Sequence, residues 1–203
     1  MKIACLPGGI LRANTYVLYQ ENAGEAIVID PTDLKKLEAY FTEFSLRPVA
    51  VLLTHGHFDH TPALVQLVER YSIPVYLHPG DGKMLTDPRL CCLHIFFPGA
   101  PFEPFEGYTP IADGEVLQLA GMTVEVLSTP GHSEGSVCYR IEEKLFTGDT
   151  LFRGGFGRTD MWGGNYPKLM ASLKQLAMLP ADMPIYPGHG AETTIAAELS
   201  NQN

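Results

Sequence analysis

The heptapeptide Thr54-His55-Gly56-His57-Phe58-Asp59-His60 packs three histidines and a carboxylate into seven positions. It is entered from Val49-Ala50-Val51-Leu52-Leu53, an apolar run behind Pro48 that reads as a buried strand. Loops at strand ends are where open α/β architectures build their sites. Alternate side chains of an extended loop share a face, so His55 and His57 are placed to clasp one cation together. His60 points elsewhere and suits a second cation, and spacing alone does not assign Asp59.

Three motifs downstream repeat the plan: Thr129-Pro130-Gly131-His132, Thr147-Gly148-Asp149 and Tyr186-Pro187-Gly188-His189. Each opens a loop after an apolar run, and glycine before the ligand allows a tight turn and close approach. His132 is placed to complete the first site and His189 the second, with Asp149 between them. Singly, Asp59 also reads as a carboxylate at a helix start and Asp149 as a turn residue. Jointly they read as ligands, because five of the seven histidines fall in these motifs. The remaining two, His78 and His94, read as ordinary loop residues. Imidazole with carboxylate suits zinc, iron or manganese, and the lack of a thiolate argues against a closed structural zinc site.

The flanking pattern alternates strands and helices. Strands are expected at Asn14–Tyr19, Glu25–Ile29, Val49–Leu53, Pro74–Leu77, 115–119, 122–128, 136–141, 144–147 and 183–186. Helices are expected over about 33–45, from Thr61-Pro62 (Thr as N-cap, Pro first in the helix), over about 165–179, and from about Glu192. That alternation predicts α/β layering in one domain, residues 1–203. It breaks from about Asp87 to Pro110, where five prolines and four phenylalanines gather. This segment reads as a lid, a contact in a homo-oligomer, or a loop folded onto its own core.

With 45% hydrophobic and 18% charged residues the chain reads as an ordinary globular protein. A net charge of −9 disfavours a nucleic-acid surface, which works by neutralising phosphates with Lys and Arg. No run approaches the roughly 18 apolar residues of a membrane span. Pro7-Gly8-Gly9 interrupts the apolar start too early for a signal peptide, so a cytoplasmic protein that meets no membrane is expected. Cys5, Cys91, Cys92 and Cys138 lack CxxC spacing and are expected as thiols, Cys5 and Cys138 as small buried residues of strands.

The HxHxDH stretch with its downstream His, Asp and His resembles the metallo-β-lactamase superfamily, and the match runs from Asp30 in "VIDP" to His189. The resemblance implies a four-layer αββα sandwich with two divalent metal ions, zinc first and iron or manganese as alternatives. It implies His55, His57 and His132 at the first ion, Asp59, His60 and His189 at the second, and Asp149 as the bridge. Asp30 resembles a residue that orients the HxHxDH loop. True β-lactamases fit less well, since several carry Cys or Arg where this chain has Asp149 or His60. The run Gly148-Asp149-Thr150-Leu151-Phe152 and the later Gly155-Phe156-Gly157-Arg158 are similar to the glyoxalase II (hydroxyacylglutathione hydrolase) branch, as is Asn14-Thr15-Tyr16. That branch normally adds a helical domain with basic residues for glutathione, and this chain ends fourteen residues after His189, like its single-domain relatives.

The implied activity is hydrolysis of an anionic small-molecule thioester by a metal-bridging hydroxide, with Asp59 and Asp149 as the catalytic carboxylates. A suitable divalent ion lowers the pKa of water from about 15.7 to about 7. Arg158 resembles a basic substrate contact of the branch, the alternative being an anchor to Asp160. Persulfide dioxygenases share the fold and a "GRTD" segment but use a single iron held by residues matching His55, His132 and Asp149. A non-catalytic metal-binding module is the third reading.

Overall fold

The protein is described by a computed structural model covering residues 1–199. The chain opens with β1 (Lys2–Gly8), β2 (Ala13–Tyr19) and β3 (Glu25–Ile29), then α1 (Leu34–Phe44), β4 (Arg47–Leu52), α2 (Leu64–Tyr71) and β5 (Val75–Leu77). A 3-10 helix (Pro79–Leu85) and the short α3 (Leu93–Phe96) lead to β6 (Tyr108–Pro110). The second half runs β7 (Val116–Leu119), β8 (Met122–Ser128), β9 (Val137–Ile141) and β10 (Lys144–Gly148), then the small hairpin β11 (Leu151–Phe152) and β12 (Gly155–Phe156). It closes with α4 (Tyr166–Leu176), β13 (Pro184–Pro187), β14 (Thr193–Thr194) and α5 (Ile195–Leu199).

Two six-stranded sheets form, ordered β1-β2-β3-β4-β5-β6 and β14-β13-β10-β9-β8-β7. Their side chains show why they stack. In β3, Ile27 and Ile29 face the second sheet while Ala26 and Val28 face the helices. In β9, Val137, Tyr139 and Ile141 turn inward and Cys138 turns outward. Strands buried on both faces need this near-continuous apolar character. Leu37 and Phe41 of α1 and Leu64 and Leu67 of α2 cover the first sheet. Leu169, Leu173 and Leu176 of α4, with Ile195 of α5, cover the second. Each such side chain contributes on the order of 1.5–3 kcal/mol by leaving water. The result is the expected αββα sandwich.

Tyr139, fully buried between the sheets, donates its hydroxyl to the Leu53 carbonyl at 2.7 Å, joining β9 to the end of β4. The Val137 amide donates to the Thr54 carbonyl at 2.9 Å, so the strand ends carrying the histidine motifs are fastened to each other.

Several expectations need correction. The helix after the histidine stretch begins at Leu64 with Ala63 at its cap, not at Thr61-Pro62. The Thr61 hydroxyl reaches the His57 carbonyl instead, and the Ala63 amide donates to Pro31, which holds this turn against the ligand loop. The helix expected to reach residue 179 ends at Leu176. Glu192 does not start a helix: Thr193–Thr194 first pair with β13. Whatever follows Leu199 lies outside the described residues. Cys5 sits on the edge strand β1 and is exposed, whereas Cys138 is buried as expected. Within 87–110 the structure adds an edge strand, β6, parallel to β5. Among the described residues no helix is long and apolar enough to cross a membrane.

Candidate metal centre

All seven predicted ligands meet at one edge of the sandwich. His55, His57 and His132 bring ligand atoms within 4.8 Å of one another, as do Asp59, His60 and His189. Asp149 stands between the groups: Oδ1 is 3.2 Å from His60 Nε2, and Oδ2 is 3.7 Å from both His132 Nε2 and His189 Nε2. Asp59 Oδ2 lies 3.2 Å from His189 Nε2 and 3.8 Å from His60 Nε2, which places it in the second group.

The outer ring nitrogens are spoken for, and their partners assign the tautomers. His60 Nδ1 donates to Asp30 Oδ2 at 2.9 Å, and His132 Nδ1 donates to the Arg158 carbonyl at 2.8 Å. Thr54 donates its hydroxyl to Asp30 Oδ2 at 2.7 Å, leaving its oxygen to accept from His55 Nδ1 at 3.0 Å. Asp30 Oδ1 also accepts from the Thr54 amide at 2.8 Å. Asp30, His55 and His60 form a third ligand-like group, but those hydrogen bonds occupy the Asp30 carboxylate. Asp30 therefore supports the ligands from behind.

This leaves the inner atoms without hydrogen-bond partners. His55 Nε2, His57 Nε2, His60 Nε2 and Asp149 Oδ1 are buried and unsatisfied. His132 Nε2, left as a lone pair because its Nδ1 donates to Arg158, accepts from His57 Nδ1 at 2.9 Å, which leaves His57 Nε2 as the lone pair turned inward. Four orphaned polar atoms in one place are costly unless something binds them. Divalent cations fit this set of imidazole and carboxylate donors.

The electrostatics agree. Burial first, then neighbouring imidazoles, push His55 well below the usual histidine range and His57 down to about 3. Both are thus neutral, the form that ligates. Burial alone would raise Asp149, but His60, His132 and His55 outweigh it and hold the carboxyl well below its usual range. His60 differs: burial would lower it, but Asp149, Asp59 and Asp30 outweigh that and raise the imidazole, so a cation bound at Nε2 would take the place of a proton there. Of the seven residues His189 is the most open to solvent, its side chain 28% exposed against 10% for Asp59 and 12% for Asp149.

Local sequence explains the close packing. A Cβ at Gly188 would strike Asp149 Oδ1 and His60 Cε1, so glycine before His189 lets that loop reach Asp149. Asn14 and Tyr16 hold the same loop, Asn14 Nδ2 donating to the Pro187 and Gly190 carbonyls at 2.9 Å and Tyr16 OH to Pro187 at 2.7 Å. Arg158 lines the cleft, yet its guanidinium is paired with Asp160 at 2.6 and 2.7 Å. His78 caps the 3-10 helix and accepts from the Gly80 amide, while His94 lies in α3 rather than in a loop and meets the Ala100 carbonyl; neither belongs to the ligand groups.

Sequence reading missed Asp81. It is fully buried and accepts from the Gly56 amide at 3.0 Å, Ser133 Oγ at 2.6 Å and the Gly135 amide at 2.7 Å. Gly56 lies between His55 and His57, and Ser133 follows His132, so one carboxylate ties together the loops of the first group. The available signal was His78-Pro79-Gly80-Asp81, another glycine-bearing loop at a strand end.

Residues 8–189 match the metallo-beta-lactamase superfamily. The chain is 38% identical to the probable metallo-hydrolase YqgX of Bacillus subtilis, covering 98% of this chain and 94% of that protein. It is 32% identical to the hydroxyacylglutathione hydrolase GloC of Haemophilus influenzae, covering 98% and 95%. Among solved structures it resembles the BLEG-1 B3 metallo-beta-lactamase, with a TM-score of 0.91, 37% identity and coverage of 98% and 97%. It resembles TTHA1623 in a di-iron-bound form, with a TM-score of 0.85, 37% identity and coverage of 100% and 98%. ETHE1 from Myxococcus xanthus follows at a TM-score of 0.78 and 28% identity, covering 97% and 80%.

Proposed function

The chain belongs to the metallo-beta-lactamase superfamily, and from that premise we propose a binuclear metal-dependent hydrolase that cleaves thioesters in the manner of glyoxalase II. The observation that carries the binuclear site is the set of inward-facing ligand atoms without partners, divided over two groups with Asp149 between them. In this reading His55, His57 and His132 hold one ion and Asp59, His60 and His189 the other, zinc or iron. When bound, the pair of ions supplies Lewis acidity to the acyl group and to the attacking water.

The chain's own residues do the rest. Asp59, on the open side beside His189, orients the water and accepts its proton at the carboxylate oxygen that does not hold the ion. Asp149, held by the histidines on either side, keeps the two groups in register. Phe58 and Phe152 form apolar walls of the cleft, thinning water around the reacting carbonyl. Water oxygen joins the acyl carbon, the carbon–sulfur bond breaks, and the thiolate leaves toward solvent past His189. Arg158, at the mouth, faces the polar end of the carrier thiol. The identity to a hydroxyacylglutathione hydrolase supports thioester chemistry.

A mono-iron persulfide dioxygenase is the second reading. His55, His132 and Asp149 converge, and Gly157 and Arg158 of the Gly157-Arg158-Thr159-Asp160 run line the cleft beside them. The experiment that tests both is metal analysis of protein purified without added metal, followed by a panel of thioesters, a β-lactam and glutathione persulfide. Two ions per chain with thiol release from thioesters alone is the expected result. One iron with persulfide-dependent oxygen uptake overturns the proposal.

A further inference from the structure

The cleft over the metal centre, about 420 Å³, shares Phe58 and Asp59 as lining residues with a second cavity of about 400 Å³. That second cavity runs from the β1–β2 turn at Ile10 over Val65 of α2 to Leu93 and Phe102. Its charged lining residues are Asp59 and Glu103, both acidic. The cation of the whole cleft, histidines apart, is Arg158, on the metal-centre side and already paired with Asp160. Ile10, Val65, Leu93 and Phe102 give the lobe apolar wall area with Thr61 and Gln66 between, and Glu103 at its edge disfavours an anionic arm, so the lobe gains by burying an alkyl one.

Resting on the thioester reading, we infer that this second lobe is an acyl-chain subsite, so the substrate is an acyl thioester with an unbranched alkyl arm. The scissile carbonyl lies at the junction beside Asp59, the alkyl arm lies along Val65 and Phe102, and the polar carrier thiol lies on the Arg158 side. The charged side chains of the two lobes set this orientation: Arg158 on the metal-centre side suits a polar or anionic carrier, whereas the lobe beyond Phe58 is lined by no Lys or Arg. Each methylene buried there strengthens binding about fourfold. The expected substrates are therefore medium-chain acyl thioesters, favoured over a lactoyl conjugate.

The test uses zinc-loaded protein and a non-hydrolysable ketone analogue of an acyl N-acetylcysteamine, in which a methylene separates carbonyl and sulfur. Calorimetry compares an octyl with a methyl group on the carbonyl. The octyl analogue should bind at least about tenfold tighter. Val65→Glu and Phe102→Glu should each bring that ratio close to one while the zinc content stays at two per chain. Equal affinity of the parent for both analogues, or a ratio that survives in both variants, overturns the subsite. The underlying reading fails separately: octyl preference without hydrolysis of any thioester keeps the lobe and removes the thioesterase. Hydrolysis of an acetyl thioester without octyl preference does the reverse.

Discussion

Asp30 and His60 are joined by a buried hydrogen bond, Nδ1 donating to Oδ2 at 2.9 Å. This bond turns His60 Nε2 toward Asp149 and Asp59, while the same carboxylate fixes Thr54 at the head of the histidine stretch. Asp30→Asn replaces one acceptor oxygen with a donor and breaks part of that set. Zinc affinity of the second group should fall about 10- to 100-fold, as for other residues that orient ligands. Competition against a chelator measures this, and two equally tight ions in the variant would show that Asp30 does not orient His60.

Asp81 plays the matching part for the first group. Asp81→Asn leaves one of the Gly56 and Gly135 amides facing a donor, at a cost of about 1–3 kcal/mol for an unsatisfied buried group. The metal-free variant should unfold at a lower denaturant midpoint, and zinc affinity of the first group should fall further than that of the second. An unchanged midpoint with unchanged binding would contradict this.

Arg158 acts through two separable parts. Its backbone carbonyl holds His132 and survives substitution, while its side chain pairs with Asp160 at an exposed position. Arg158→Ala should therefore keep both ions. It should raise KM for a thioester with an acidic carrier more than it lowers kcat, with less effect on a neutral carrier. Equal effects on both substrates would mean the side chain serves only as a loop anchor.

Cys92 lines the cleft but is not a nucleophile in this account. Burial first, then Cys91, push its thiol up to about 11. The thiolate is therefore scarce at neutral pH and grows as pH approaches that value, in a ratio of roughly one to several thousand at pH 7.5. Alkylation by iodoacetamide should be slow at pH 7.5 and accelerate toward pH 11, and Cys92→Ala should keep thioester hydrolysis. Rapid inactivation at pH 7.5 in the parent, absent from the variant, would refute this.

The strand ends and ligands were legible in the sequence because each is carried by local pattern: an apolar run, then glycine, then His or Asp. Ile27 and Ile29 against Ala26 and Val28 show why the sandwich was legible too, since strands coated on both faces read as continuous apolar runs. Tertiary contacts decided what was not. Thr61-Pro62 has the chemistry of a helix start, but the Thr61 hydroxyl and the Ala63 amide are drawn to His57 and Pro31, so the helix begins later. Cys5 has the neighbours of a buried strand residue, and only the sheet order reveals an edge. Asp81 sits in a glycine-bearing loop at a strand end like the ligands, but its part could not be read there, because its partners are two amides and a hydroxyl that meet only in the fold.

The central claim, a hydrolase that uses both ligand groups, is tested most directly at Asp59. Asp59 Oδ2 lies 3.2 Å from His189 Nε2 and outside the His55, His57, His132 group, so its removal strikes the second group selectively. In parent and Asp59→Ala, thiol release from acyl thioesters and oxygen uptake with glutathione persulfide are measured side by side, together with metal content. The account predicts two ions and thioester turnover in the parent, and in the variant at least about a 10²-fold loss, roughly 2.7 kcal/mol of transition-state stabilisation. Rapid iron-dependent oxygen uptake without thioester turnover, retained when Asp59 is removed, would contradict it.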